Sequence, residues 1–326
     1  MRVLLEGAWP RDADESDALE RLVLRASDGD AHLILVTDAP AMEEWSGWLG
    51  LSRRQRELLR AAANAAAFSP PPSRGPHRFE CRPAELGWQG ALRLASSPVS
   101  VVVENAHTDG VLVRTALAAF ADPRSRRLHD SPPATGPALQ IDGAGGIHEV
   151  PKRLVALDVA AQGLPLRAVV VVDSDRRWPG AAAPGAEKAR EAAERRRVRC
   201  IVLSKRSIEN YIPDAVWDAW AAAAPSVASV VAALKRLPTA ARDHFPVKRG
   251  FSKVDASDPQ ESAIYAAVSN HCRGSLAQGV QLHGDPKRPV ISLLDAYADH
   301  ATPEALIERD PDGDLRAMVD AIEAIL

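Results

Sequence analysis

The stretch Ala168-Val169-Val170-Val171-Val172-Asp173-Ser174-Asp175 is an apolar, valine-rich run that stops abruptly in two carboxylates. A continuous run of this kind reads as a strand buried on both faces, as in parallel sheets. In open α/β sheets, ligands bind in the crevice outside the carboxyl ends of the strands. Asp173 and Asp175 therefore stand beside the edge where chemistry is expected, and two acids there repel unless a cation or basic partner compensates. The plain alternative is a solvated turn, since Asp and Ser are ordinary turn residues. The surrounding sequence favours the first reading.

From about residue 97 the pattern alternates regularly. Val99-Ser-Val-Val-Val103 predicts a strand and 110–120 a helix, with a polar, Pro-containing loop expected from Asp122 to Pro137. Ala138-Leu-Gln-Ile141 predicts the next strand, followed by the turn Asp142-Gly-Ala-Gly-Gly146 and a helix near 152–161. After the central strand at 167–172 come a Pro/Gly loop, a charged helix over 187–197 and the strand Val198-Arg-Cys-Ile-Val-Leu203. Strand–helix repeats of this length imply a mainly parallel sheet with right-handed crossovers. Glu191 and Arg195 are spaced for an i,i+4 pair, so the charges of that helix read as a solvated face.

Residues 1–95 read as a smaller α/β region. Arg2-Val-Leu-Leu-Glu6 and Leu33-Ile-Leu-Val-Thr37 predict strands, separated by a helix with Leu19, Leu22 and Val23 on its apolar side. Ser52 and Gln55 have capping-box spacing and open a helix to about Phe68. A Pro-rich loop at 69–76, a short strand near 78–81 and a helix beginning at Pro83 follow. Trp45, Trp48 and Trp88 are expected as packing anchors. Beyond residue 213 the pattern is mostly helical, around 215–241, 261–272 and 313–326. The expected organisation is an α/β N-terminal domain (1–95), an α/β core (96–212) and a helical C-terminal region (213–326).

Composition bounds the function. Across 326 residues, 46% hydrophobic and 25% charged content is that of an ordinary globular protein. A net charge of −3 shows no global excess for a polyanion, although a local basic face needs none. Cys81, Cys200 and Cys272 are scattered without CxxC spacing, which speaks against a zinc ribbon or disulfide framework and fits a reducing cytoplasm. His244, His271 and His283 are too dispersed for a zinc site. The first residues meet a charge too early for a signal peptide, and no apolar run approaches the roughly 20 residues needed to span a bilayer. A cytoplasmic protein without membrane contact is expected.

Three acidic clusters follow three strands of the same sheet: Glu104 after Val99–Val103, Asp173 and Asp175 after the central strand, and Glu209 after the next, in Ser204-Lys-Arg-Ser-Ile-Glu-Asn-Tyr211. In a parallel sheet these ends share one edge, so acids distant in sequence can converge. Hard cations such as Mg²⁺ take oxygen ligands and keep several waters. Two such ions can clamp the attacking and leaving oxygens of a phosphodiester displacement. Gly145-Gly146 after the remaining strand either makes room for phosphate or makes a tight turn.

Glu104, the Gly145-Gly146 turn, Asp173-x-Asp175 and Ile208-Glu209-Asn210-Tyr211 together resemble the Toprim domain over about 97–212. The last motif is similar to that of the overcoming-lysogenization-defect (OLD) type and related bacterial anti-phage defence nucleases. Two positions depart from that pattern. Asn105 stands where Gly usually follows the first Glu, and it is expected to keep the turn because Asn adopts positive φ most readily after Gly. Asp109 comes five residues after Glu104 rather than four, so His107 competes for its place.

The resemblance implies a metal-dependent nuclease hydrolysing DNA, with Mg²⁺ or Mn²⁺ held by Glu104, Asp109, Asp173, Asp175 and Glu209. It implies Glu104 as ligand or general base, and Lys205 and Lys248 as the cations that stabilise the transition state. No Walker-type loop occurs, so an ATPase or sensor would come from a separate polypeptide. A closed homodimer is the default assembly. Lys248-Arg249, Lys253, Arg273 and Lys287-Arg288 read equally as a nucleic-acid groove or as scattered solvated charges. Tyr211 is expected to pack against the sheet. The rival readings are a degenerate Toprim module that binds nucleic acid or a partner without cutting, and an Asp-x-Asp glycosyltransferase, which leaves Glu104 and Glu209 unexplained. A haloacid-dehalogenase phosphatase fits poorly, with Arg177 where Thr or Val is expected.

Overall fold

The computed structural model describes residues 2–6, 9–27, 33–45, 47–68, 80–130, 137–280 and 293–326. The chain forms two wholly parallel sheets flanked by helices. The N-terminal sheet has strands β1 (Arg2–Leu5), β2 (Leu33–Val36) and β3 (Glu80–Cys81) in the order β2-β1-β3. The second sheet has β4 (Val99–Val103), β5 (Leu139–Gly143), β6 (Ala168–Val172) and β7 (Arg199–Val202) in the order β5-β4-β6-β7.

Period-two geometry explains why β4 and β6 are valine throughout most of their length. Val99, Val101, Val103, Val169 and Val171 face one helical layer, and Val102, Val170 and Val172 face the other. With both faces covered, no position on these strands is free for a polar residue except Ser100, and each buried valine contributes on the order of 2 kcal/mol. The second face is closed by the helices Val150–Ala161 and Pro184–Glu194, the latter packing through Ala186, Ala189, Ala192 and Ala193. The first face is covered by Thr108–Phe120 together with helices from beyond residue 212, including Asp214–Ala223, Leu293–His300 and Asp314–Glu323. Those C-terminal helices share one continuous core with β4 and β6.

The N-terminal region has a core of its own, built from Val3, Leu19, Leu22, Leu59 and Trp88 among others. The Ser52/Gln55 capping box forms in both directions, Ser52 N–H donating to Gln55 Oε1 (2.7 Å) and Gln55 N–H to Ser52 Oγ (3.3 Å). Trp48 and Trp88 are buried, and Trp45 stacks on Trp9. The Pro-rich segment 69–76, like His283 and Lys287-Arg288, lies outside the described residues. Arg167, immediately before β6, is buried and donates to the carbonyls of Ser97 and Ile325. It thereby joins the end of the helix Trp88–Ser96, the start of the sheet and the C-terminal helix. Burial pulls its guanidinium down to about 10, so it keeps its charge at neutral pH.

The loop expected over 122–137 is instead opened by a helix, Pro123–Asp130. Asp122 caps it by accepting from Arg124 and Ser125 N–H, and Pro123 occupies the first turn, where its missing N–H costs nothing. Proline there starts a helix rather than breaking one.

A second constraint lies in the C-terminal half. Gly250 and Gly279 (φ +65° and +70°) cross backbone against backbone, and a Cβ on Gly250 would fall 2.1 Å from both Gly279 N and Leu276 O. This crossing fixes the loop 246–250, which also receives Val280 N–H on Val247 O (2.6 Å). Gly250→Ala combines a left-handed backbone with a backbone clash, so a loss of about 3 kcal/mol is expected in urea unfolding. A loss below 1 kcal/mol would show that the crossing opens without cost.

Candidate active site at the carboxyl edge of the sheet

The strand order reverses direction between β4 and β6: the chain leaves β4 to add β5 on one flank, then returns to add β6 on the other. Such a switch point opens a crevice at the carboxyl edge. Glu104 is the first residue after β4 and Asp173 the first after β6, so the two acids meet there, Asp173 N–H donating to Glu104 Oε1 at 3.2 Å.

The loops after β6 and β7 are stitched together beside them. Ser174 Oγ–H donates to Lys205 O (2.7 Å), Asp175 N–H to Arg206 O (2.9 Å), and Ile208 N–H to Asp173 Oδ1 (2.9 Å). Asp175 is exposed and left-handed (φ 53°), a conformation that Asp tolerates better than most residues. Glu209 lies on the short turn Ile208–Tyr211, held by a capping box between Ser207 and Asn210. It is 4% exposed, accepts Ser207 Oγ–H (2.7 Å), and pairs with the half-exposed ammonium of Lys248 (2.6 Å).

Asp109 is buried, its oxygens accepting Asn105 N–H (2.8 Å) and Thr108 Oγ–H (2.9 Å). Asn105 does not take positive φ, contrary to expectation. Its side chain instead accepts from His107 and Thr108 N–H, so the turn is held by side-chain capping rather than by a left-handed residue. His107 is exposed and outside the crevice lining. The glycine turn is tight: Gly145 and Gly146 N–H both donate to Glu104 O, while their Cα positions face open space.

Two cavities meet at the acid pair and share Glu104, Asp173 and Lys248. The larger, about 600 Å³, runs past Asn105, Asp109 and Gly143–Gly146. The smaller, about 370 Å³, includes Asp175 and Glu209 and is walled by Arg206, Arg249 and Lys253. Lys205 lines neither. It is buried behind the site, where its ammonium binds Asp243 (2.8 Å) and Arg309 O (2.7 Å). Burial lowers its affinity for a proton and Asp243 opposes that shift. Tyr211 is fully buried, its hydroxyl bonded to Asp314 and to Lys205 N–H.

Lys205-Arg206 are adjacent in sequence, and nothing in the sequence says which of the two faces the crevice. The residue that does is Arg206.

The electrostatics are those of crowded acids. Burial, then the neighbouring Asp109 and Asp175, push the Glu104 carboxyl up to about 7, against the Asp173 N–H and Lys248. Asp173 is pushed well above the carboxylate range by burial and by Glu209, Glu104 and Asp109. Asp109 is raised chiefly by burial. Lys248 is desolvated, yet Glu209, Asp173 and Asp109 hold its proton more tightly than usual.

Among the described residues, no group of three or more His, Cys, Asp or Glu side chains has the geometry to hold a metal ion. The donor chemistry nevertheless suits a hard cation: the acids are all oxygen donors, several with raised proton affinity, facing one lysine. Mg²⁺ is usually bound through one or two carboxylates, waters and substrate phosphates, so a complete protein cage is not required. The described residues contain no helix long and apolar enough to cross a membrane. The chain matches no protein-family model, no curated protein and no solved structure.

A raised Glu104 has a defined consequence for stability. The folded protein retains a proton that the unfolded chain releases near pH 4.5, so stability falls as pH rises from there through about 7. Glu104→Gln, which can still accept Asp173 N–H, removes that loss. It is expected to melt several degrees above wild type at pH 8 and level with it at pH 4, by calorimetry without divalent metal. Equal melting at both pH values would refute the shift.

Proposed function

We propose that the protein is a Mg²⁺- or Mn²⁺-dependent phosphodiesterase acting on nucleic acid, DNA foremost. The observation that carries this reading is the meeting of Glu104 and Asp173 at the switch point, with Asp175, Glu209 and Lys248 around the same crevice. The motif resemblance to Toprim nucleases of the OLD type points the same way, and the all-parallel sheet is compatible with it. In that setting the protein would act as the cutting subunit of a defence system, with a separate ATPase or sensor.

Asp173, with Glu104 or Asp175, would hold the cation, and Asp109 and Glu209 would reach it through water. A divalent cation bound there supplies charge neutralisation at the phosphate and a more acidic water. Glu104, with its proton affinity near neutrality, takes the proton of the attacking water. As the water oxygen bonds to phosphorus, the bond to one ester oxygen breaks, leaving a phosphomonoester and a free hydroxyl. Lys248 leaves Glu209 to meet the growing charge on the phosphoryl oxygens. Lys205, committed to Asp243 and Arg309, supports the loop instead.

A second reading, binding without cutting, is favoured by the Lys248–Glu209 pair and by Asp109 spending its oxygens on Asn105 and Thr108.

Nicking of supercoiled plasmid with Mn²⁺ separates the two. The hydrolytic reading expects nicking reduced at least about a thousandfold in Asp173→Ala and Glu104→Ala, and about a hundredfold in Lys248→Ala. It also expects calorimetric Mn²⁺ binding that is lost in Asp173→Ala. Metal-independent DNA binding, with neither nicking nor Mn²⁺ uptake, would overturn it in favour of a binding module.

A further inference from the structure

The two cavities that meet at the acid pair differ in charge. Beyond the shared Lys248, the smaller is walled by Arg206, Arg249 and Lys253, whereas the larger has no cation among its lining residues. Arg206 is held in place: its guanidinium donates to His244 O (3.3 Å) and lies 3.6 Å from Glu261, a carboxylate with no exposed surface. Arg249 and Lys253 are exposed and form no ion pair among the described residues. They lie on the loop fixed by the Gly250–Gly279 crossing and on the short turn Gly250–Lys253 that continues it. Arg273, by contrast, is spent on the carbonyls of Val268 and Tyr265 and on the Phe251 ring. The sequence offers a scatter of basic residues, and the fold sets three of them along one wall.

Unpaired cations beside a cluster of carboxylates repel one another across an open cavity unless an anion arrives between them. We propose that Arg206, Arg249 and Lys253 form a phosphate subsite on one side only of the acid pair, gripping the phosphate adjacent to the scissile one in a polynucleotide strand. This inference rests on the phosphodiesterase reading. On the other side, the surface of Asn105, Ala106 and Gly143–Gly146 admits a nucleoside without gripping a further phosphate. The substrate is then recognised asymmetrically, by backbone charge and not by base edges.

The test uses the full chain with Mn²⁺ and a dithymidine phosphodiester, either plain or carrying an extra phosphate at its 5′ or its 3′ end. One of the two added phosphates is expected to raise kcat/KM about tenfold and the other less than about twofold. The gain should disappear in Arg249→Ala/Lys253→Ala and persist in Arg195→Ala/Arg199→Ala, which removes two charges at the opposite edge of the sheet. Equal gains from both ends, or a gain retained in the first double variant, would overturn the subsite.

Absence of turnover by wild type on all three compounds would be a failure of the hydrolytic reading, and binding then decides the subsite separately. Anisotropy of a fluorescein-labelled oligothymidine against salt should show the slope of log K reduced by about 1.4 in Arg249→Ala/Lys253→Ala, from roughly 0.7 per lost phosphate contact. An unchanged slope would overturn the subsite by that route as well.

Discussion

The pairing of β4 with β6 is the constraint on which the rest depends. Parallel neighbours lie about 4.8 Å apart, so whatever follows them in sequence is forced together at the carboxyl edge. Here the forced neighbours are two carboxylates, joined through the Asp173 N–H and Glu104 Oε1. The valine faces on both sides of the sheet hold this arrangement against the repulsion. Buried apolar area is additive over many residues, while the repulsion is confined to one cluster. The fold can therefore carry an electrostatically unfavourable site. Lys248 on Glu209 and the backbone donors to Asp173 and Glu104 offset part of it.

Much of this was legible in the sequence because parallel strands are written as unbroken apolar runs. Val99–Val103 and Ala168–Val172 appear where their composition places them, and the capping box at Ser52/Gln55 is read directly from spacing. Glu104, Asp173, Asp175 and Glu209 could be assigned to one edge because chain direction in a parallel sheet leaves no other place for strand ends. Local signals failed where one residue has two uses. Pro123 breaks a chain or starts a helix, and only the Asp122 before it decides. Asn105 can hold a turn with its backbone or its side chain, and it uses the side chain.

What the sequence could not convey is side-chain direction across long separations. Lys205 and Arg206 differ by one position, yet Lys205 is drawn behind the sheet by Asp243 and the Arg309 carbonyl while Arg206 is left at the crevice. Lys248 reaches the acids from a loop whose path is set by Gly279, far along the chain. Neither relation has a periodicity or a spacing. Both arise from which distant surfaces happen to close on each other.

The shared core of the sheet and the C-terminal helices has a consequence for how this protein can be inherited and divided. Trp217, Tyr265 and Phe245 are buried in the same cluster as Val101 and Val169, and the loop bearing Lys248 hangs from that cluster. A shuffled fragment ending after the last strand would carry the acids but neither their counter-cation nor the cover of one sheet face. Folding is non-local to the same degree, since β4 must await β6 and both must await helices near the C-terminus. The crevice is a property of the whole arrangement from β4 onward, and selection acting on it acts on residues that never touch it.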